Sequence, residues 1–513
     1  MEAPAQLTRR NVVSCFIFKT LSPRSTAPRS VALFRRSSKV HTYQHKLAPI
    51  SGTVEKTDPS PLAAAWRELS EETTLTAESL RLRRQGKPYS FVDEALRREW
   101  TIFPFAFELK KARGSEDFGI VIDWEHESWS WHDPRSVTDH PSFGGVPNLA
   151  TSLRRAWFEY DLDDAPGHIL ASGLESLQLD HKNGARVLAG NALTILTDVA
   201  ASLATSERDQ WWRDVRMAGW HLWKNGRESM GAAILSVVLA SLAELEREVL
   251  PRWSDLPTNE RETQIRAALG KYAERRHHLN DNISRSFRSF LSTTTSPARI
   301  LTISSSSTLT KSLVDAINGT SITFDVRVLE SRPLFEGVSV AGALASAMAR
   351  ANTSYGRNST VTVNSTVTVY TDASAAIASR DVDLVLLGAD MISASGDTCN
   401  KTGSLPVVLS AKHASPGCRV VVVADREKIY PFAPPEHEEN DVGEVTGAWG
   451  GAAAGVFPDT SRRVGSVRNV YFEWIDSNLV DCYILEDQQG TVGDIREVAT
   501  GVEKSADHFF GGL

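Results

Sequence analysis

The stretch ARILTISSSSTLTKSLVDAINGTSITFDVRVLE, residues 298–330, opens on a β-branched and aliphatic run, passes into a helical pattern at 309–317 and returns to a second apolar run at 324–330. The same change of period recurs in STVTVYT (365–371), VDLVLLG (382–388), CRVVVVA (418–424) and VRNVYFEWI (467–475), with a helical segment at 342–351 among them. Near-continuous apolar strands alternating with helices predict a doubly wound, Rossmann-like α/β unit whose parallel sheet is covered on both faces. In such sheets ligands collect at the carboxyl ends of the strands. The polar stretch SYGRNSTVTVNS (354–365) reads as a surface excursion.

Upstream, residues 169–291 are almost entirely helical in pattern, with apolar residues at helical spacing through 188–203, 232–245 and 265–290. Before them lies a stretch rich in Pro, Gly and Asp, HDPRSVTDHPSFGGVP (132–147) and DLDDAPG (161–167), which reads as a hinge with a short helix, SLRRAWFE (152–159), inside it. The first part of the chain mixes strands near 12–19 and 30–35 with one clear helix, the mark of a small α+β domain. The expected division is 1–164, a helical subdomain over 165–292, and the α/β domain over 293–513.

Composition narrows the function. The 513 residues are 41% apolar and 23% charged, ordinary for a globular protein, and 56 Lys and Arg against 63 Asp and Glu give a net charge of −7. That balance argues against a broad nucleic-acid surface while leaving room for a local phosphate pocket. Cys15, Cys399, Cys418 and Cys482 are far apart, so neither a disulfide framework nor a zinc knuckle is expected and a reducing compartment fits. The longest apolar run, near 232–245, is broken by Ser and Glu and reads as a buried helix rather than a membrane span. MEAPAQLTRR runs straight into the strand-like VVSCFIF without a signal-peptide pattern, so a cytoplasmic location is expected.

Residues 62–75 read LAAAWRELSEETTL, a strong helix preceded by Asp58, Pro59 and Pro61 as start signals. Glu68, Glu71 and Glu72 stand at i, i+3 and i+4, three carboxylates on one helical face. The pattern alone reads either as a solvated acidic face or as hard oxygen ligands for Mg²⁺ or Mn²⁺. Residues 52–75 resemble the Nudix box, in which a glycine and an acidic residue precede an REUxEExGU helix, and Arg67-Glu68-Leu69-Ser70-Glu71-Glu72 matches its core. The resemblance implies metal ligation by Glu68, Glu71 and Glu72, with Arg67 orienting a carboxylate. It also implies a further carboxylate from EHESWSWHDP (125–134), Glu125 first and Glu127 in reserve. Thr74 stands in place of the box's last glycine, and Asp58 takes the upstream acidic place one residue out of register. The implied reaction is metal-dependent hydrolysis of a nucleoside diphosphate linked to another group, with a glutamate such as Glu71 or Glu72 as base. Trp129 and Trp131 read as base-stacking residues or as packing.

Five further segments place small or cationic residues where strands end or helices begin: HKNGARVLA with Gly184, Ala185 and Arg186; NGRESM with Arg227; ILTISSSSTL with Ser304–Ser307; LESRPLFEG with Arg332; and LLGADMISASGDTCNKTG with Asp390, Asn400 and Lys401. Such residues suit a phosphate. Their order resembles the superfamily that joins methylthioribose-1-phosphate isomerase, ribose-1,5-bisphosphate isomerase and the alpha, beta and delta regulatory subunits of initiation factor 2B, over about 169–495. The isomerases in that family imply an acid–base pair, here Asp390 with Ser304 in the cysteine's place, and substrate contacts at Gly184, Ala185, Arg186, Arg227, Arg332, Asn400 and Lys401. A serine hydroxyl is far less acidic than a thiol and needs a partnered base. The chain thus reads as a Nudix hydrolase joined to a sugar-phosphate-binding, isomerase-like unit. The alternative is a non-catalytic regulatory or assembly protein with an initiation-factor-related partner. Family analogy implies a homodimer.

Overall fold

The computed structural model describes residues 7–19, 30–110, 119–162, 164–294, 296–355, 365–434, 438–450 and 466–513. Most of the polar 354–365 stretch lies outside the described residues.

Strand Thr8–Lys19 is the spine of the first domain. Its side chains alternate with period two, so Val13, Cys15 and Ile17 face one side and Phe16 and Phe18 the other. The spine runs parallel to Arg98–Leu109 and antiparallel to Ser30–Arg36 and Ile50–Thr53 within an eight-stranded sheet. Helix Pro61–Thr73 lays Ala64, Ala65 and Leu69 on the Val13 face. The opposite face is covered by helix Leu149–Ala156 and Trp157, which come from the Pro- and Gly-rich stretch. The stretch read as a hinge is therefore packed: Leu149, Leu153 and Trp157 are nearly fully buried against Phe16, Phe18 and Leu33.

Helices Asp164–Leu179, Ala185–Ser202, Arg208–Asn225, Gly231–Glu248, Thr258–His277 and Leu279–Leu291 follow. The periodic run 265–290 is thus two helices, divided at His278. Residues Glu228–Arg252 are long and apolar enough to cross a membrane by length and composition, and 72% of that apolar window is buried inside the protein. Helix Gly231–Glu248 is the centre of the helical core, as its all-round apolar surface requires.

In the third layer the strand order is Thr366–Tyr370, Phe324–Leu329, Ala298–Thr302, Leu384–Leu387, Arg419–Val423, Cys482–Ile484 and Gln489–Gly490. All neighbours are parallel except the last pair. The chain builds outward from Ala298–Thr302 on one side and then returns to build on the other, so the order reverses between Ala298–Thr302 and Leu384–Leu387. YFEWI does not join this sheet. Phe472–Ile475 pairs antiparallel with Thr398–Lys401 in a separate four-stranded sheet, and the Glu473 carboxylate accepts from the Gly403 and Leu405 N–H groups at the start of helix Ser404–Ala414. Its half-buried pattern contrasts with the fully buried Leu384–Leu387.

The first domain meets the helices through a two-way amide clamp. The Gln85 N–H donates to Asn225 Oδ1 at 2.6 Å, and Asn225 Nδ2 donates to the Gln85 carbonyl at 2.9 Å. Beside it, buried Arg84 pairs with Glu159 at 3.0 Å. The same Asn225 Nδ2 lies 2.9 Å from His221 Nδ1, and the imidazole stacks on Phe158. Burial, helped by the Arg84 charge, holds His221 down to about 3. The folded pKa lies below the unfolded one, so the unfolded chain binds the extra proton and stability falls as pH drops from about 6.5 toward 3, by about 1.4 kcal/mol per unit. His221→Asn, which keeps an acceptor, should flatten urea-derived stability against pH by about one proton in that window; parallel curves for both proteins would contradict this.

Candidate functional site

The first cluster is organised by Arg67. Its Nε and Nη2 donate to the two Asp58 oxygens at 3.2 and 3.0 Å, Nη2 also reaches the Thr53 carbonyl at 3.0 Å, and Nη1 donates to Glu68 at 2.8 Å and Glu71 at 3.1 Å. Asp58 is therefore no helix cap; Ser60 caps the helix by accepting from the Ala63 N–H. The Arg67 hydrogen bonds hold the Asp58 carboxyl below its usual range. Gly52 makes the arrangement possible, because a Cβ there would lie 1.9 Å from the Glu68 carboxyl carbon.

Glu72 is 3% exposed, and its Oε2 lies 2.6 Å from His126 Nε2. Burial, reinforced by the Glu68 and Glu125 charges, pushes the Glu72 carboxyl up to about 10, while burial lowers the His126 imidazole to about 4. Burial also raises Glu68, against the pull of Arg67, and raises Glu125, against the pull of Arg36. After burial, the neighbouring Glu68 charge does most to raise the Glu72 carboxyl. A divalent cation fits this set of carboxylates chemically, since it takes hard oxygen donors and offsets the repulsion between neighbouring Glu68, Glu72 and Glu125. Among the described residues, no three His, Cys, Asp or Glu side chains are already gathered around one point.

Glu68, Glu71, Glu72 and Glu125 line a cavity of about 640 Å³ whose walls include Tyr89, Phe91, Trp100, Arg10 and Arg98. Glu127 is not among its lining residues and instead pairs with His45 at 2.7 Å. Trp129 and Trp131 pack edge to face at 5.5 Å against the domain core and do not line the cavity. His126 and the aromatic wall escaped the sequence reading. His126 sits between the two glutamates of EHE, and the wall alternates along Tyr89–Asp93 and Arg98–Leu109.

Thr74, in place of the glycine, has φ 62° and closes the helix through its N–H to the Ser70 carbonyl. A β-branched residue in the left-handed region is strained. Because the side chain is exposed, Thr74→Gly should stabilise the domain by about 1 kcal/mol in denaturant melts; a loss of stability would show that the threonine makes compensating contacts.

The second cluster gathers at the order reversal of the parallel sheet. Gly184, Ala185, Arg186, Arg227, Ser304, Asp390, Asn400 and Lys401 line one cavity of about 310 Å³. Arg332 does not line it: the side chain is about half exposed, bonded to Glu330 and set over the Phe335 ring. Ser304 follows strand Ala298–Thr302 at φ 76°, with its N–H donating to Ser331 Oγ at 2.8 Å. Gly388 allows the Ser304–Ser307 loop to close, since a Cβ there would lie 2.5 Å from Ser306 Cβ. Burial raises the Asp390 carboxyl, opposed by the charges of Lys428, Arg227 and Lys401. Lys428 Nζ lies 4.0 Å from Asp390 and donates to the Ala389 carbonyl. Lys401, 2% exposed, pairs with Glu336 at 3.2 Å and lies 4.4 Å above the Tyr471 ring. Arg227 forks onto Glu438 at 2.7 and 3.2 Å and donates to the Asp180 carbonyl. Arg186 donates to the Arg276 carbonyl, and its buried Nη1 has no hydrogen-bond partner among the described residues. Lys428 and Glu438 were not picked out in the sequence, because each sits in a segment without a phosphate-like pattern, and Glu336 was passed over in LESRPLFEG because Arg332 was the residue suited to an anion there.

Comparison with known proteins locates both clusters in families. Residues 8–152 match the model of the NUDIX domain, and residues 182–447 match that of the Initiation factor 2 subunit family. Similar solved structures include translation initiation factor eIF-2B from Pyrococcus horikoshii OT3, at 18% identity over 64% of this chain and 98% of that one, TM-score 0.42. Another is 5-methylthioribose 1-phosphate isomerase from the same organism, at 18% identity over 65% and 87%, TM-score 0.46. A third is eIF2B beta from Chaetomium thermophilum, at 14% identity over 69% and 95%, TM-score 0.46.

Proposed function

Because the chain belongs to the Initiation factor 2 subunit family and carries a NUDIX domain ahead of that unit, we propose that it hydrolyses a nucleoside-diphosphate-linked substrate at the first cluster and binds a sugar phosphate at the second. The observation that carries the hydrolase reading is the Arg67 hub, which fixes Glu68 and Glu71 while Glu72 and Glu125 complete the acidic wall of one cavity. Glu68, Glu71, Glu72 and Glu125 would hold Mg²⁺ or Mn²⁺, which when bound polarises the pyrophosphate and acidifies an attacking water. The chain's own part is to keep the carboxylates in place through Arg67, to hold and accept protons at Glu71 or Glu72, and to stack a base on Tyr89, Phe91 or Trp100 near Arg10 and Arg98. Mn²⁺ titration followed by electron paramagnetic resonance tests the ligand set alone. Wild type should bind the ion and Glu68→Gln should weaken it at least tenfold; equal binding would remove Glu68 from the ligand set.

The second site is proposed as the ligand crevice of a doubly wound, Rossmann-like sheet, with Ser304 and Asp390 at adjacent strand ends. Asp390, with its raised carboxyl, is the proton carrier in an aldose–ketose reading. Replacing Ser304 by Cys should raise isomerisation of a bound aldose phosphate at least tenfold, because a thiol's ordinary pKa of about 8.5 is usable near neutrality. No gain would favour the second reading, a non-catalytic regulatory protein that assembles with itself as a dimer or with initiation-factor-related partners. Ser304 is the residue that favours it. Cytoplasmic location is part of the same proposal.

A further inference from the structure

A third cavity, of about 560 Å³, lies where the first domain, the helices and the end of the chain meet. Neither cluster described above lines it. Its walls bring together Phe103 from the first domain, Trp223 from the helices, and Phe432 and Phe510 from the last part of the chain. Trp223 and Phe510 stack at 5.8 Å with ring planes 19° apart, and Phe432 lies 5.1 Å from Trp223. Three rings from distant parts of the sequence thus make an aromatic wall, with Phe432 tilted 40° to Trp223.

Two lysines, Lys87 and Lys224, open onto the same space. Lys224 Nζ sits 3.9 Å from the Trp223 ring centroid, and burial lowers both ammonium groups from their usual range. Among the described residues neither ammonium is in an ion pair within 4.0 Å: Arg155 is the charged neighbour of Lys87, and Glu228, which also lines the cavity, attracts Lys224. Asp507 also lines the cavity. The amide clamp between Gln85 and Asn225 fixes one edge of the cavity, since Gln85 lines it.

We propose that this cavity binds a nucleoside monophosphate, its base stacked on the Trp223–Phe432–Phe510 wall and its phosphate met by Lys87 and Lys224. Flat rings select a planar ring, and desolvated ammonium groups without ion-pair partners select an anion. The volume falls within the range of small-ligand sites and exceeds what a lone ring fills. The inference does not rest on the hydrolase reading, because binding here needs no turnover.

The test uses full-length protein and AMP as the probe, with binding read by calorimetry and tryptophan fluorescence. Glu72→Gln is used as background so that the first site's chemistry cannot interfere. AMP should bind at least tenfold more tightly than adenosine or inorganic phosphate, because each lacks one half of the recognition. Lys87→Met with Lys224→Met should cost AMP tenfold or more while leaving ribose 5-phosphate binding at the Arg227 cavity unchanged. Ala433→Trp, which adds a large ring at a lining position and changes neither lysine, should cost AMP as much. AMP affinity unchanged in the lysine pair, or lost there and kept in Ala433→Trp, would overturn the proposal and leave the cavity a packing void between domains.

Discussion

Glu72→Gln is expected to lower metal-dependent hydrolysis by on the order of 10³-fold, about 4 kcal/mol of transition-state stabilisation, with the domain still folded. Glu72 is buried, bonded to His126 and pushed toward its neutral form by Glu68 and Glu125. A neutral amide of the same shape suits that metal-free environment at least as well as a carboxyl group, so the fold should tolerate it. What the amide cannot do is become an anion when a cation displaces the carboxyl proton. The exposed Glu71 should behave similarly on replacement by Gln, since its Arg67 contact survives in weakened form. Steady-state rates against Mg²⁺, alongside thermal melts, separate the two effects. Unchanged rates in both variants would remove the triplet from the chemistry; a collapsed melt would mean that the carboxyl group is structural.

Arg227→Met should destabilise the helical unit by about 3–5 kcal/mol and weaken pentose-phosphate binding by about tenfold or more. Arg227 is 5% exposed and holds Glu438 in a two-pronged ion pair drawn from a segment 211 residues away. Removing the guanidinium strands the Glu438 carboxylate beside a mostly buried cavity. Adding Glu438→Gln to the same protein should recover most of the stability and none of the affinity. Stability recovered together with affinity would mean that phosphate is held by Lys401 and Lys428 alone.

The runs 298–302, 384–387 and 419–423 are legible as strands because a buried parallel strand is apolar on both faces, and 324–329 because its buried residues alternate with Asp325 and Arg327; both signals are local. The carboxylate helix was equally legible, since its spacing and Arg67 lie within a few residues of one another. Phe472–Ile475 was legible as a strand but not as a member of a second sheet, which depends on Thr398–Lys401 far along the chain, and the break of 265–290 into two helices at His278 was not legible. The same holds for the site residues. Glu68 and Gly52 belong to one short pattern, whereas Glu438 against Arg227 and Glu336 against Lys401 are pairs that only the folded chain brings together. The Pro- and Gly-rich stretch misled because turn residues announce chain reversals without saying whether Leu149 and Trp157 between them are buried.

The central claim is that the acidic wall around Glu72 performs metal-dependent hydrolysis of a nucleoside-diphosphate-linked substrate. Product identification by mass spectrometry after incubating the full-length protein with ADP-ribose, other nucleoside-diphosphate sugars and free nucleoside triphosphates tests it most directly, with Mg²⁺ or Mn²⁺ and again with EDTA. The account predicts a nucleoside monophosphate and a sugar phosphate from at least one diphosphate-linked substrate, only with metal present. No cleavage of any such substrate, or cleavage that persists in EDTA, would contradict it.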